Sequence, residues 1–175
     1  PKNRTVATIV ADVLTQLPAE KPNQYNQSMT DLTGTGEEGL MSLINSMNNP
    51  GPKSNEKVEF ALSGWTNFVA KDNAKSKATA NTYSKALGLE LHEETKAFII
   101  RQLEMIGGEE NIEVLASFLT DKRLVGPASQ ALVTMRSTKA NQTIVAALKA
   151  EKSEEMKIQL VNAIAQSNAT NVEGL

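Results

Sequence analysis

The sequence predicts an all-α protein, built as a stack of about five antiparallel helix pairs, and three observations lead to this fold class. Apolar residues recur at offsets of three and four along most of the 175-residue chain, which is the period of a helix with one buried face. No segment sustains the alternation of a half-buried strand. A pattern of about 30 residues recurs in the last third of the chain, as it does in stacked helix pairs.

The composition excludes several classes of protein. Apolar residues make up 40% of the chain and charged residues 22%, which is too apolar for a disordered protein. No apolar run approaches the roughly 20 residues that a membrane-spanning helix needs. The net charge is −2, so the basic excess typical of nucleic-acid-binding domains is missing. Cysteine is absent, which excludes disulfides and thiolate metal sites.

Three helices are predicted before residue 50. The first carries an apolar stripe from Val6 to Leu17, and prolines at 18 and 22 end it and open the second. The second ends at Gly34, and a third follows with an apolar stripe from Leu40 to Met47. The segment Asn48-Asn49-Pro50-Gly51-Pro52 is the strongest helix breaker in the chain.

Three more helices are predicted in the middle of the chain. Ser54 is the expected N-cap of a helix whose stripe runs from Val58 to Val69. The polar segment from Lys71 to Lys77 carries no stripe and is predicted to be a loop. A helix around Tyr83 follows. The next has apolar residues at 99, 100, 103 and 106, and Gly107-Gly108 is its expected C-terminal cap.

The last third repeats one plan. Short helices are predicted around Leu115, from Asp121, around Ile144 and after an N-cap at Ser153. The first helices of the two pairs superpose at a shift of 30 residues, as Val114 does on Ile144 and Phe118 on Leu148. The second helices superpose at a shift of 32: Leu124 on Met156, Ala128 on Leu160, Ala131 on Ala163 and Leu132 on Ile164. A short pair cannot bury both helix faces alone, whereas stacked pairs share one core.

This pattern resembles the second helix of HEAT repeats. The motif is Thr120-Asp121 followed by Leu124, Ala128, Ala131-Leu132 and Met135. Gly126-Pro127 departs from the family, in which most repeats carry a basic residue nearby. The resemblance covers residues 92–170 clearly, residues 34–70 weakly and residues 1–33 faintly. It implies a right-handed α-solenoid of about five helix pairs, and an irregular helical bundle is the alternative because residues 1–33 repeat poorly.

A narrower resemblance involves residues 4–19, 36–40 and 101–107, which look like those of exported Bacteroidetes HEAT-repeat proteins. In those proteins a helical region precedes a concanavalin-like, sugar-directed domain, and this chain does not contain that domain. The resemblance implies a periplasmic or extracytoplasmic location. We expect residues 1–175 to form a single helical repeat domain, with irregular helices in 1–33 and repeats in 34–170. Residues 171–175, Asn-Val-Glu-Gly-Leu, read as the opening of a further, truncated repeat, so a longer polypeptide is expected.

Candidate chemical groups are few. His92 is the only histidine, and one imidazole supplies neither the usual metal site nor a catalytic dyad without a nucleophile nearby, so a helix-start role is expected. Four acidic pairs could suggest carboxylate catalysis. They are Glu37-Glu38, Glu93-Glu94, Glu109-Glu110 and Glu154-Glu155. Each lies at a predicted helix start, where the helix dipole favours negative charge, and this explains all four together.

Two further patterns have structural explanations. Residues 34–39 fit the spacing GxGxxG, but no strand precedes them as a dinucleotide site requires, so a turn between helices is predicted. Trp65 could stack on a sugar or a base, but its spacing places it on the buried stripe of its helix. Lysines at 71, 75, 77 and 85 form a loose group that Asp72 interrupts, and a solvated loop is expected there.

The sequence therefore predicts no catalytic residue, cofactor or metal, and it leaves the binding residues unknown. The expected function is a non-catalytic interaction or scaffolding module, whose partner is another protein or a neighbouring domain of the same polypeptide. The alternatives are a helical accessory region of a carbohydrate-active enzyme, a HEAT-type nucleic-acid enzyme and an intracellular adaptor.

Overall fold

The computed structural model describes residues 4–49, 51 and 53–171. Within these residues the chain forms ten α-helices and no strand, which confirms the all-α prediction. Two predictions lie outside the described residues in part: the prolines of the breaker at 50 and 52, and the truncated repeat from residue 172 onward. The chain divides into two compact units, the first ending at Ala86 and the second beginning at Leu87.

The helices follow one another with short connections. They are α1 (Val6–Gln16), α2 (Pro22–Thr33), α3 (Gly36–Asn45), α4 (Glu56–Val69), α5 (Asn73–Leu87), α6 (Glu93–Ile106), α7 (Ile112–Ala116), α8 (Val125–Thr134), α9 (Thr138–Ala150) and α10 (Glu154–Asn171). One turn of 3₁₀ helix, Glu109–Asn111, precedes α7.

In the first unit, α1 to α4 pack against one another around a core of aliphatic side chains. Its fully buried members include Leu32, Leu43 and Leu62. Helix α2 approaches α4 closely at Gly64, because a Cβ built there would lie 2.8 Å from the Met29 sulfur. The absence of a side chain at this position lets the two helices make that contact.

Helix α5 differs from the sequence prediction, because the segment from Lys71 to Lys77 is not a loop throughout. The helix begins at Asn73, and the Asp72 carboxylate accepts a hydrogen bond from the Lys75 backbone N–H at 3.1 Å. The first turn is exposed, and the buried face starts only at Thr79. An apolar stripe therefore could not reveal this turn, although its capping aspartate was visible in the sequence.

Two other helix starts fall later than predicted. Helix α4 has Asn55 at its N-cap, and the predicted capping residue Ser54 still accepts a hydrogen bond from the Glu56 N–H at 3.1 Å. Helix α8 begins at Val125, four residues after Asp121. The Asp121 carboxylate accepts hydrogen bonds from two backbone N–H groups of the turn before the helix, at 2.8 and 3.1 Å.

In the second unit the helices pack in series. Helix α8 contacts α6 and α10, and α7 contacts α9, so second helices lie beside second helices and first helices beside first helices. Burial supports the predicted 32-residue shift of the second helices, because Leu124, Ala128 and Ala131 are buried, as are their counterparts Met156, Leu160 and Ala163.

Burial places the first helices in a different register from the predicted shift of 30. Leu115 and Ile144 are both fully buried, and they are 29 residues apart. At the predicted shift, buried Leu115 would match Val145, which is only half-buried. Both helices carry adjacent β-branched and aliphatic residues, so the sequence pattern alone fits two registers one residue apart.

Candidate functional site

A cleft of about 440 Å³ lies in the first unit, between the start of α3, the C-terminal half of α4 and α5. Leu40, Trp65 and Val69 form its buried apolar wall, with exposures of 1–2%. The α5 side is formed by small residues, among them Ala78 and Thr82. Clefts of roughly 300–1,000 Å³ are the size at which proteins hold small molecules.

The cleft exists because α5 carries short side chains beside its buried stripe. Tyr83 and Ala86 of that stripe are fully buried. Ala78, Thr79 and Thr82 line the cleft next to them. These three side chains are too short to fill the space opposite the Trp65 ring, and the cleft remains.

Two buried side-chain hydrogen bonds connect α4 to α5 beside the cleft. The Trp65 indole Nε1 donates to Thr79 Oγ1 at 3.1 Å. The hydroxyl groups of Thr66 and Tyr83 lie 2.8 Å apart in a second bond. Burial raises the pKa of the Tyr83 phenol above its ordinary value, and the bond to Thr66 opposes that shift only in part. Tyr83 is therefore protonated throughout the physiological range.

Charged side chains stand at the rim of the cleft. The Lys85 ammonium lies 2.8 and 2.9 Å from the two carboxylate oxygens of Glu37, which joins α5 to the start of α3. Lys75 lies 3.7 Å from the Asp72 carboxylate, beyond hydrogen-bond distance. All four side chains are 47–63% exposed, so these ion pairs can exchange partners at little cost.

A second candidate surface lies on α10 in the second unit. Ile158 and Val161 are 61% and 49% exposed and lie one helical turn apart. At the 32-residue shift they correspond to Gly126 and Ser129 on α8. Gly126 is half-buried and Ser129 is buried, and both border a shallow depression between α8 and α10, with Gln159 on its opposite side. The surface formed by Ile158 and Val161, called here the α10 apolar face, thus matches the α8 face that a neighbouring helix covers.

His92 stands at the N-cap of α6, as predicted. Its Nδ1 accepts a hydrogen bond from the Glu94 backbone N–H at 3.2 Å, and the residue is exposed. Among the described residues, no group of three or more histidine, aspartate or glutamate side chains is arranged to hold a metal ion.

The four acidic pairs all occupy first turns, as predicted, in α3, α6, the 3₁₀ turn and α10. Glu93 and Glu94 also pair with Arg123, which reaches them from the turn before α8. Glu155 pairs with Lys122 from the same turn at 2.9 Å. All these carboxylates lie at helix starts, and those of Glu93, Glu94 and Glu155 also connect one helix pair to the next through ion pairs.

The glycine pattern of residues 34–39 covers the predicted turn between α2 and α3 and continues into the first turn of α3. Gly34 is the C-cap of α2, and Gly36 has φ of +62°, a conformation that favours glycine. Gly107 is the C-cap of α6, as predicted, and its N–H donates to the Leu103 carbonyl.

Trp65 is 2% exposed, so its predicted place in the core is confirmed, although it also borders the cleft. Sequence reasoning missed the cleft because it assigned Lys71 to Lys77 to a loop. Once this segment is helical, Lys75, Ala78, Thr82 and Lys85 share one face at offsets of 0, 3, 7 and 10. That signal of small residues between two lysines was available in the sequence.

No model of a protein family matches the sequence, and no curated protein matches it either. An engineered protein of known crystal structure is similar over 94% of this chain and 85% of its own, with a TM-score of 0.43 and 17% sequence identity. This likeness assigns neither a family nor a function. In the part of the chain that the structure describes, no helix is long and apolar enough to cross a membrane.

Proposed function

We propose that the chain is a non-catalytic interaction and scaffolding module of the HEAT type, a right-handed α-solenoid of about five helix pairs within a larger exported polypeptide. Its partner is a neighbouring segment of that polypeptide or another protein. The observation that carries the proposal is the exposed α10 apolar face, which corresponds to a covered surface on α8.

The serial packing of α6, α8 and α10 supports this function. Each second helix lies beside the next, an arrangement that can continue in one direction as long as further helices are supplied. In α6 the equivalent positions 29 residues before those of α8 are Ala97 and Ile100, and both are buried. Among the residues that the structure describes, two of the three equivalent faces are therefore covered, and nothing covers the third.

The chemistry of the open face also supports a protein partner. Ile158 and Val161 are separated by one helical turn, so their two exposed apolar side chains are neighbours on the helix surface. Exposed apolar patches of this kind commonly mark protein interaction sites. Gly126 and Ser129 on α8 are smaller, so the α10 face calls for a partner surface of different shape from α10 itself.

Photo-crosslinking tests the proposal directly. A benzophenone amino acid is placed at position 158 in the full polypeptide, expressed at its natural level in the source organism. We expect an adduct with a protein or with another segment of the same polypeptide, identified by mass spectrometry. Val161→Glu should abolish that adduct, because a charge in the patch would have to be buried without a partner.

Met105 provides the matched control, since it is also an apolar residue of the second unit and is 51% exposed. The same crosslinker at position 105 should give no specific adduct. Equal adducts from both positions, or none from position 158, would contradict the proposed role of the α10 apolar face. A crystal structure with helix pairs stacked in a left-handed superhelix, or not stacked, would contradict the solenoid.

A further inference from the structure

We propose that the cleft of the first unit binds a small apolar carboxylic acid. The apolar body of this ligand lies against Leu40, Trp65 and Val69, and its carboxylate accepts a hydrogen bond from the Thr79 hydroxyl while pairing with Lys75. This site is independent of the α10 apolar face and of the scaffolding role proposed above.

The Thr79 hydroxyl in the wall of the cleft is a hydrogen-bond donor without an acceptor among the described residues. An indole N–H can only donate, so Thr79 must be the acceptor in its bond with Trp65. The hydroxyl hydrogen of Thr79 then needs an acceptor of its own, and none of the described residues supplies one. Because Thr79 is only 5% exposed, a ligand oxygen in the cleft would satisfy a largely buried donor.

Two nearby threonines, Thr66 and Thr82, do not share the hydrogen-bond arrangement of Thr79. The hydroxyl group of Thr66 donates to the Leu62 carbonyl at 2.9 Å, and that of Thr82 donates to the Ala78 carbonyl at 3.1 Å. Both use the carbonyl four residues earlier in their own helix, which is the ordinary partner of a helical threonine. Thr79 makes no such bond, since its oxygen is turned to Trp65.

The cleft is also bordered by charged side chains. Lys75, Lys85 and Glu37 line it, and Asp72 lies beside Lys75. Lys85 already contacts both oxygens of Glu37, so the cation with the weaker pairing is Lys75. Lys75 and Thr79 are four residues apart on α5 and therefore adjacent on one helix face. A carboxylate placed between them would gain an ammonium and a hydroxyl donor together.

The cleft also has an apolar wall. Leu40, Trp65 and Val69 stand beside the polar pair, so a ligand with an anion at one end and a hydrocarbon body at the other matches both surfaces. A fully polar anion would leave the apolar wall in contact with water. An uncharged apolar molecule would leave the Thr79 hydroxyl and Lys75 unused.

Tryptophan fluorescence provides the experiment, because Trp65 is the only tryptophan in the sequence and it borders the cleft. The intact chain is titrated with octanoate, with octan-1-ol as an uncharged probe of the same length and with acetate as a charged probe without the apolar body. We expect a saturable change with octanoate and binding that is roughly tenfold or more weaker for the other two probes, since each lacks one of the matched surfaces.

Variants locate the ligand. Ala78→Leu should abolish octanoate binding by filling the cleft, and Lys75→Gln should weaken it by roughly tenfold. Lys149→Gln, an exposed lysine of α9, is the control and should bind like the parent chain. Thr79→Val deprives the Trp65 N–H of its acceptor and could unfold the chain, so Thr79→Ser is tested beside it and should retain binding.

Three results would overturn the proposal: no saturable change with octanoate, equal binding of octanoate and octan-1-ol or acetate, or unchanged binding in both Lys75→Gln and Ala78→Leu. Circular dichroism melts establish that each variant is folded. Because Lys75 is 61% exposed, its substitution leaves the core intact, and that result stands whatever happens at Thr79.

Discussion

Within each of the two units, neighbouring helices are joined by different kinds of contact. In the first unit, α4 and α5 are joined by two buried hydrogen bonds between side chains, Trp65 to Thr79 and Thr66 to Tyr83. In the second unit, the cores of α6, α8 and α10 are aliphatic, with Leu103, Leu132 and Leu160 fully buried. The contact of α4 with α5 therefore includes directional bonds, whereas the packing of α6, α8 and α10 depends on the filling of space.

The difference determines how each unit should respond to substitution. Aliphatic packing loses free energy in proportion to the volume removed, because the surrounding structure collapses only in part. A buried hydrogen bond contributes less, but it depends on single polar atoms. Volume changes should therefore dominate in the second unit, whereas the loss of one hydroxyl should be measurable in the first.

The largest expected effect comes from shortening the central aliphatic residue of the second unit. Leu132→Ala should lower the free energy of unfolding by about 2–5 kcal/mol, because Leu132 is fully buried on α8, the helix that contacts both α6 and α10. Urea melts followed by circular dichroism measure the loss. Ile158→Ala, on the exposed α10 apolar face, is the control and should cost less than about 0.5 kcal/mol. A loss below about 0.5 kcal/mol for Leu132→Ala as well would mean that the stacking register is wrong.

A smaller effect is expected from removing one hydroxyl group in the first unit. Tyr83→Phe should cost about 1 kcal/mol, since it deletes the bond to Thr66 and a long 3.4 Å bond to the Leu62 carbonyl but leaves Thr66 donating to that carbonyl. No buried donor is stranded, so the loss should stay well below that of Leu132→Ala. A neutral result in urea melts would show that the first unit also depends on packing alone.

The same hydroxyl gives the stability of the chain a dependence on high pH. Burial raises the pKa of Tyr83 above the ordinary 10.0, so the folded state keeps its proton where the unfolded state loses it. The stabilisation is fully present below pH 10 and is lost as the pH rises above it. Urea melts between pH 8 and 11 should show this decline, and it should be shallower in Tyr83→Phe. Equal slopes in the two proteins would contradict the assignment to Tyr83.

The smallest effect is expected from the ion pairs between helix starts in the second unit. Arg123→Ala removes the pairs with Glu93 and Glu94, and all three side chains are at least 50% exposed. Exposed pairs contribute little, so the free energy of unfolding should change by less than about 0.5 kcal/mol. A larger loss in melts at low salt would show that the second unit uses charge as well as aliphatic packing.

The sequence predicted the helices well because apolar stripes, prolines and capping residues act locally. Pro22, Gly34 and His92 all mark helix ends where their chemistry suggested. Two features escaped this reasoning. The first turn of α5 has no buried face and so no stripe, and the first-helix register depends on which of two adjacent apolar residues turns inward.

The candidate sites were harder to predict than the helices. The small residues Ala78, Thr79 and Thr82 are visible in the sequence, but only the packing of α5 shows that they face Trp65 across a cleft. The α10 apolar face needed the observed exposure of Ile158, since the sequence shows only another apolar residue. Periodicity indicates on which face of a helix a residue lies, but tertiary packing determines whether another element covers that face.

The helix pairs of the second unit also show which parts of a repeat can vary in length. Helix α7 has 5 residues and α9 has 13, and eight residues separate α7 from α8 where three separate α9 from α10. Despite these differences, Leu115 and Ile144 occupy matching buried positions. An insertion or deletion at such a turn shifts a whole helix as a unit and leaves its stripe intact. Over evolution, insertions and deletions between helices should therefore be tolerated, whereas substitutions in an apolar stripe should be selected against.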